Sequence, residues 1–250
     1  MKDKVSVITA VYNSSSTLRE TVGSVVAQDY DNWELLLIDD CSADDSKEIM
    51  EKLASTDHRI RCLYNDKNSG VALTRNHGIR EADGRYIAFL DSDDTWDDTK
   101  LSRQLRFMEE VGSPFTYTSI RIMDENGVPT GKERHVPDRV DHGTLLMGDP
   151  MPCLTIMIDT TVIPKEKIYM PNVHHEDYAA FLNCLRDGAV ARGLDEVLAS
   201  YRVSRTSVSG NKLRTATWQW RILRDQEGLS VIKSLYYLST YALKAIKKRL

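Results

Sequence analysis

Asp91, Ser92, Asp93 and Asp94 put three carboxylates into four residues, directly after the apolar run Tyr86-Ile87-Ala88-Phe89-Leu90 and before Thr95-Trp96. Like charges at that spacing repel, so a cluster at a strand end is costly unless something offsets it. A divalent cation or the hydroxyls of a bound ligand would do so. Helix capping is the other reading, since Asp is favoured at N-caps. Asp97, Asp98 and Thr99 already stand before the helical stretch from Lys100, so cap candidates exist without the first cluster. On the local pattern alone both readings stay open. Two further acidic pairs deserve the same question: Asp39-Asp40 after the apolar run 33–38, and Glu176-Asp177 at the start of a helix-like segment.

The elements that must position these groups follow from hydrophobic period. Residues 5–11 (VSVITAV) form a β-branched apolar run that reads as a buried strand, as do 33–38, 60–64 and 86–90. Between them, apolar residues at helical spacing predict helices from Thr17 to about Gln28 with Ser16 as cap, from Asp44 or Asp45 to about Leu53, and from Val71 to Ala82. Strand and helix alternate in this way through residue 90. That pattern predicts an α/β fold with a mostly parallel sheet and helices on both faces. Ligands bind beyond the carboxyl ends of such strands. The loops 9–13, 39–42 and 91–94 all leave carboxyl ends, so topology brings the carboxylate cluster and Asp39-Asp40 to one rim. The second half is less regular. It predicts a helix at 100–111, strands at 115–123, 153–158 and 196–203, a helix at 176–186, and a polar, flexible stretch at 204–210.

The 250-residue chain has a charge of −4, which gives no reason to expect nucleic-acid binding. Its four cysteines, Cys41, Cys62, Cys153 and Cys184, form no CxxC pair and read as free thiols in a reducing compartment. The N-terminus runs straight into the first strand without a leader, and no apolar run reaches the ~18 residues that span a membrane. A cytoplasmic protein is expected. The tail from Leu229 is apolar at Val231, Ile232, Leu235 and Leu238, and basic at Lys233, Lys244, Lys247, Lys248 and Arg249. An amphipathic helix in a membrane interface suits that composition; a helix packed on the domain, or a dimer contact, is the alternative.

Five segments occur in order: VSVITAVYN, WELLLIDDCSADDS, NSGVALTRNHGI, DGRYIAFLDSDDTW and HHEDYAAFL. Together they resemble the glycosyltransferase family 2 enzymes of GT-A fold, over residues 3–205. The resemblance implies an inverting transfer of a sugar from a nucleotide diphosphate donor, UDP being usual, with Mn²⁺ or Mg²⁺ as cofactor. It implies a domain at 1–205, with a nucleotide-binding half at 1–98 and an acceptor-binding half at 99–205, and a separate loop and helix at 206–250. Asp93 matches the metal ligand, with Asp94 as the alternative, while Asp91 and Ser92 lie against the ribose or sugar. The stretch Thr9-Ala10-Val11-Tyr12-Asn13 matches the base pocket, unless Tyr12 is a core aromatic. Asp40 matches the acceptor for the base N–H, with Asp39 supporting the turn or capping a helix.

Arg75, after the turn Asn68-Ser69-Gly70, matches a group that reaches the diphosphate or orients the carboxylates; an ordinary helix-surface Arg is the plain alternative. Asp177 matches the general base with Glu176 beside it, although acidic residues in a first turn also complement the helix dipole. Arg202 or Arg205 would meet the pyrophosphate. His174 and His175, just before the acidic pair, could touch the diphosphate or the metal, but lone loop histidines usually do neither. Trp96 is an acceptor-site aromatic or core. The QxxRW pattern of processive synthases and their membrane spans are missing, which argues for addition of one sugar to a saccharide acceptor; only the C-terminal helix points to an acceptor carried on a lipid such as a polyprenyl diphosphate, at the cytoplasmic face of the inner membrane. A nucleotidyltransferase is the second hypothesis, but the loop after the first strand has no Gly, Lys or Arg for an attacking phosphate. A non-catalytic sugar-nucleotide-binding module is the third.

Overall fold

The computed structural model describes residues 3–203 and 212–247. Strands β1 (Val5–Val11), β2 (Trp33–Asp39), β3 (Ile60–Tyr64) and β4 (Tyr86–Phe89) alternate with helices α1 (Leu18–Val26), α2 (Ser46–Ala54) and α3 (Val71–Glu81). A short β5 (Thr95–Trp96) precedes α4 (Lys100–Val111). Then come β6 (Phe115–Met123), β7 (Pro129–Arg134), β8 (Arg139–Val140), α5 (His142–Leu146), β9 (Met157–Asp159), α6 (Lys165–Ile168), α7 (Glu176–Leu185) and β10 (Ala191–Arg202). Helix α8 (Lys212–Arg221), a π-helical turn (Ile222–Gln226) and α9 (Val231–Lys247) follow. No described helix is long and apolar enough to cross a membrane.

Among the described residues one sheet runs β3-β2-β1-β4-β9-β6-β10-β5, with β7 beside β6 and β8 beside β10. The first four strands are parallel, as the alternation predicts, and β9 pairs antiparallel to both β4 and β6. Side chains alternate between the faces of a strand, and two cores result. Val5, Val7, Val11, Leu35 and Leu37 face α1, α2 and α4, whereas Ile8, Leu36 and Ile38 face α3 and α7. Helix α3 packs tightly at Gly78, where a Cβ would meet the Ile8 side chain at 2.6 Å and Ile38 at 2.8 Å. That approach fixes the depth at which Arg75, one turn earlier, enters the site.

Several boundaries differ from the sequence expectation, each because a side chain or bulge intervenes. Residues 153–158 are not one strand: Cys153–Thr155 is a 3₁₀ turn before β9. Trp96 Nε1 donates to the Leu154 carbonyl and Gln104 Nε2 to the Thr155 carbonyl, taking acceptors a strand would offer its neighbour. Strand β10 starts at Ala191 rather than 196, pairing with β6 through irregular register between Leu194 and Ala199. Ser16 is not a cap; helix α1 starts at Leu18 and the Ser14 carbonyl accepts from Thr17 and Leu18.

The carboxylate cluster does not cap a helix. It turns, with Asp94 N donating to Asp91 O, and leads into β5. Nor does Asp97 cap α4 with its side chain; its carboxylate takes both Nη of Arg121, at 2.6 and 2.8 Å. Trp96 is core, 5% exposed, with Lys100 Nζ 3.9 Å above its ring. The polar stretch expected at 204–210, with Arg205, lies outside the described residues. All four cysteines are free thiols.

Candidate active site

The rim at the carboxyl ends of β1, β2 and β4 carries a cavity of about 380 Å³. Ala10, Val11, Tyr12, Asp40, Asn68, Gly70, Arg75, Asp91 and Ser92 line it, so most of the residues singled out by sequence meet in one place. Tyr12 is 53% exposed and therefore no core aromatic. Ser92 is fixed from beneath: its Oγ pairs with Ser14 Oγ at 2.7 Å, and its carbonyl accepts from Thr17 and Thr21 hydroxyls.

Asp40 is 4% exposed and holds the turn before α3. Its Oδ1 accepts from Asn65 Nδ2 and Ser69 N, its Oδ2 from Gly70 N, each at 2.8 Å. Burial pushes its carboxyl up, but these donors and Thr74 outweigh that and hold it below the ordinary value. Gly70 meets the turn with φ 82°, a region that favours glycine. Asp39 supports a different turn, accepting from Ser42 N at 3.2 Å. Thr9 is fully buried in β1, and Asn13 ties its loop to Ser42 and Ala43; neither lines the cavity.

Arg75 is not a surface residue. It is 5% exposed, with Nη2 on Asp91 Oδ1 at 2.5 Å and Nη1 on Glu176 Oε1 at 2.8 Å. Burial opposes its charge, yet Cys153, Asp91, Glu176 and Asp177 around it raise its pKa well above the ordinary value. The guanidinium thus joins the carboxylate turn to the N-terminus of α7. Burial and Asp177 push the Glu176 carboxyl up, against the pull of Arg75. Asp177 has no ion pair among the described residues; its Oδ1 accepts from Tyr178 N. The acidic pair is therefore divided, one member tied and the other available. Cys153 was not anticipated beside Arg75; burial raises its thiol pKa well above the ordinary value, against the pull of the guanidinium.

Asp93 and Asp94 differ. Asp94 is fully buried, Oδ1 accepting from Arg202 N at 2.7 Å and Oδ2 lacking a partner. Burial, then Asp91 and Asp93, raise its pKa well above the ordinary value. Asp93 is exposed, though the protein around it and Asp91 raise its carboxyl too. Among the described residues no three His, Cys, Asp or Glu side chains form a closed cage. A cation beside a diphosphate needs none, because one or two carboxylates suffice when phosphates and water fill the shell. Asp93, beside Asp91, fits that requirement; the buried Asp94 acts as a strut.

Arg202 is elsewhere from its expected place. It is 7% exposed and spends its guanidinium on Asp93 O, Glu125 O and Glu20 Oε2, latching β10 to the carboxylate turn and α1. Its guanidinium is committed to these three oxygens, and Arg202 does not line the donor cavity. The histidines pack too: His174 stacks on Trp218 of α8 at 4.2 Å, and His175, at φ 60°, meets the same ring edge-on. Sequence gave no signal for Trp218. Asn65 was findable, since it follows β3 on the same rim and links Asp40, Thr74 and His77.

Comparison with known proteins identifies the family. The model of the family described as "Glycosyl transferase family 2" matches residues 6–160. A Bacillus subtilis protein named for teichuronic acid biosynthesis, glycosyltransferase TuaG, is 39% identical over 250 residues, covering 100% of this chain and 98% of that one. The Escherichia coli UDP-Glc:alpha-D-GlcNAc-diphosphoundecaprenol beta-1,3-glucosyltransferase WfgD is 36% identical, covering 98% and 94%. Among solved structures, S. aureus TarS 1-349 in complex with UDP-GlcNAc superposes with TM-score 0.73 at 20% identity, over 96% of this chain and 71% of that one. The architecture is the GT-A fold, and the chain is a glycosyltransferase belonging to glycosyl transferase family 2.

Proposed function

We propose that the chain is an inverting, metal-dependent, non-processive enzyme. It moves one sugar from a UDP-sugar to a saccharide acceptor carried on a polyprenyl diphosphate, in assembly of a surface polysaccharide such as capsule or O-antigen. The names of TuaG and WfgD, and the UDP-GlcNAc bound by TarS, support this substrate class. The observation that carries the reading is Arg75, which ties Asp91 and Glu176 together and leaves Asp177 beside them.

On this reading the 1–98 half binds the donor. Tyr12 packs on the base, and Asp40, held ionised, accepts from a base N–H. Asp91 meets the ribose or sugar. A Mn²⁺ or Mg²⁺ ion held by Asp93 supplies neutralisation of the charge that develops on the leaving diphosphate. The 99–205 half presents the acceptor. Asp177 takes the proton of the attacking hydroxyl, on the face opposite the leaving group. Glu176, fixed by Arg75, keeps that carboxylate pair in register with the donor. Arg75 spends its charge on two carboxylates, so it orients the site rather than holding the diphosphate.

Helix α9 leaves Val231, Ile232, Leu235 and Tyr236 exposed, with Lys233 among them. We propose that it rests on the anionic cytoplasmic face of the membrane, where a lipid-linked acceptor is found. The function is tested with purified protein, a panel of UDP-sugars, Mn²⁺ and an alkyl-diphosphate-linked GlcNAc acceptor. A product with one added sugar of inverted anomeric configuration is expected. Donor binding without transfer to any saccharide would overturn the reading.

A further inference from the structure

A second cavity of about 660 Å³ adjoins the donor cavity, and the two share Gly70 and Val71. Its near wall includes Asn172, His174 and Glu176. Its far wall is α8 and the π-helical turn, with Arg221, Asp225 and Gln226. This far wall lies outside the residues matched by the family, 6–160.

The wall is built rather than loosely apposed. Gln219 Nε2 donates to the buried Tyr178 hydroxyl of α7 at 2.7 Å. Glu227 takes both His142 Nε2 and Arg186 Nη2 at 2.8 Å. The ring of His174 is held against Trp218. Arg221 is exposed in this setting and makes no ion pair or hydrogen bond among the described residues. Arg75, Arg186 and Arg202, by contrast, are all paired. An uncommitted guanidinium facing a cavity offers a planar fork that fits phosphate oxygens. Asp225, Gln226 and Asn172 supply the carboxylate and amide groups that read sugar hydroxyls.

We infer that this cavity holds the acceptor, with its sugar between Asn172 and Asp225 and its diphosphate on Arg221. The inference rests on the glycosyltransferase reading above. Glu176 lines this cavity and not the donor one, so an attacking hydroxyl placed here comes from the side of the acidic pair. Chain order agrees: Arg221 precedes the turn into α9, so the phosphate lies between the reaction centre and the helix assigned to the lipid surface.

The test measures binding by titration calorimetry to the full chain saturated with UDP and Mn²⁺. The probes are undecyl-diphosphate-linked GlcNAc and the neutral undecyl glycoside of GlcNAc. Wild type is expected to bind the diphosphate probe saturably, and Arg221→Ala to weaken it about tenfold or more. The neutral glycoside should bind both proteins equally, UDP affinity should not change, and Arg221→Lys should recover part of the loss. Failure of wild type to bind the diphosphate probe, equal binding by Arg221→Ala, or equal losses for both probes would each overturn the inference. A parallel fall in UDP affinity would assign Arg221 to the donor diphosphate and overturn it too. If wild type transfers sugar while Arg221→Ala binds normally, only the inference falls; if wild type transfers to no acceptor, the function falls.

Discussion

Asp91 and Glu176 are joined through one guanidinium: Arg75 donates Nη2 to the first at 2.5 Å and Nη1 to the second at 2.8 Å. The first ends the carboxylate turn after β4, and the second opens α7. A buried, doubly paired Arg spans what would otherwise be two separate acidic sites. The arrangement also makes the site sensitive to any loss of that side chain.

Arg75→Ala should leave a largely buried Glu176 without its counter-charge. Breaking such a pair costs on the order of 3 kcal/mol, which denaturant titration would register as a lower midpoint. Sugar transfer should fall at least a hundredfold (about 2.7 kcal/mol of barrier). Arg75→Lys should not restore it, because a compact ammonium lacks the rigid planar fork that places separate nitrogens on the two carboxylates. A lysine variant with normal turnover would refute the bridging role.

Asp177→Asn should lower kcat by roughly 10²–10⁴ while UDP-sugar affinity holds, as expected for loss of a general base. Glu176→Gln should do less to the chemical step and more to acceptor KM. Comparable kcat for wild type and Asp177→Asn would remove the base assignment.

The proposed metal site distinguishes Asp93 from Asp94. Both carboxyls are raised in the fold, first by the water that surrounding protein displaces and then by neighbouring carboxylates. Their contribution to stability is therefore full below the unfolded value of 3.8 and is lost as pH rises through the folded value. A cation relieves that cost at neutral pH and should raise Tm, since it binds only the native state. Asp93→Asn should abolish the Mn²⁺-induced rise. Asp94→Asn should keep it, because an amide oxygen can still accept from Arg202 N. The reverse pattern would transfer the ligand role to Asp94.

Glu34 has the opposite sign. Burial raises its carboxyl, but Ser6, Asp83 N, Lys4 and Arg61 outweigh that and lower it below 4.5. A lowered value stabilises the fold above the unfolded value, and the gain is lost as pH falls through the folded one. Stability should decline with acid below about pH 4.5, and Glu34→Gln should flatten the decline. An unchanged slope in urea melts from pH 6 to pH 3 would count against it.

The C-terminal helix makes a separate prediction. Ile232 is 81% exposed and Leu235 54%, so replacing both with Glu should leave the fold intact. Co-sedimentation with vesicles containing anionic lipid should drop sharply, while transfer to a soluble short-chain acceptor persists. Vesicle binding equal to that of wild type would exclude α9 as the contact.

Much of this molecule is set by local pattern. The period of two in β1 and β2 sorts Val7 from Ile8 and Leu35 from Leu36 onto opposite cores. Alternation with helices then places the ends of β1, β2 and β4 on one rim, which is why Tyr12, Asp40 and Asp91 were legible as neighbours. The motifs carried the family as well. What sequence left open were choices between partners far apart in the chain. Arg75 meets Glu176 across 101 residues, and Arg202 reaches Asp94 across 108. Period and spacing report which face a residue takes, not which of several complementary groups it finds there. Whether Arg202 faces a ligand or a carboxylate strut, and whether Asp94 is exposed or buried, depends on how β10 docks against the turn. Likewise no pattern tied Trp218 to His174. Sequence by itself determined the fold, the rim and the family; tertiary packing decided which charges are spent on holding the protein together and which remain free to act.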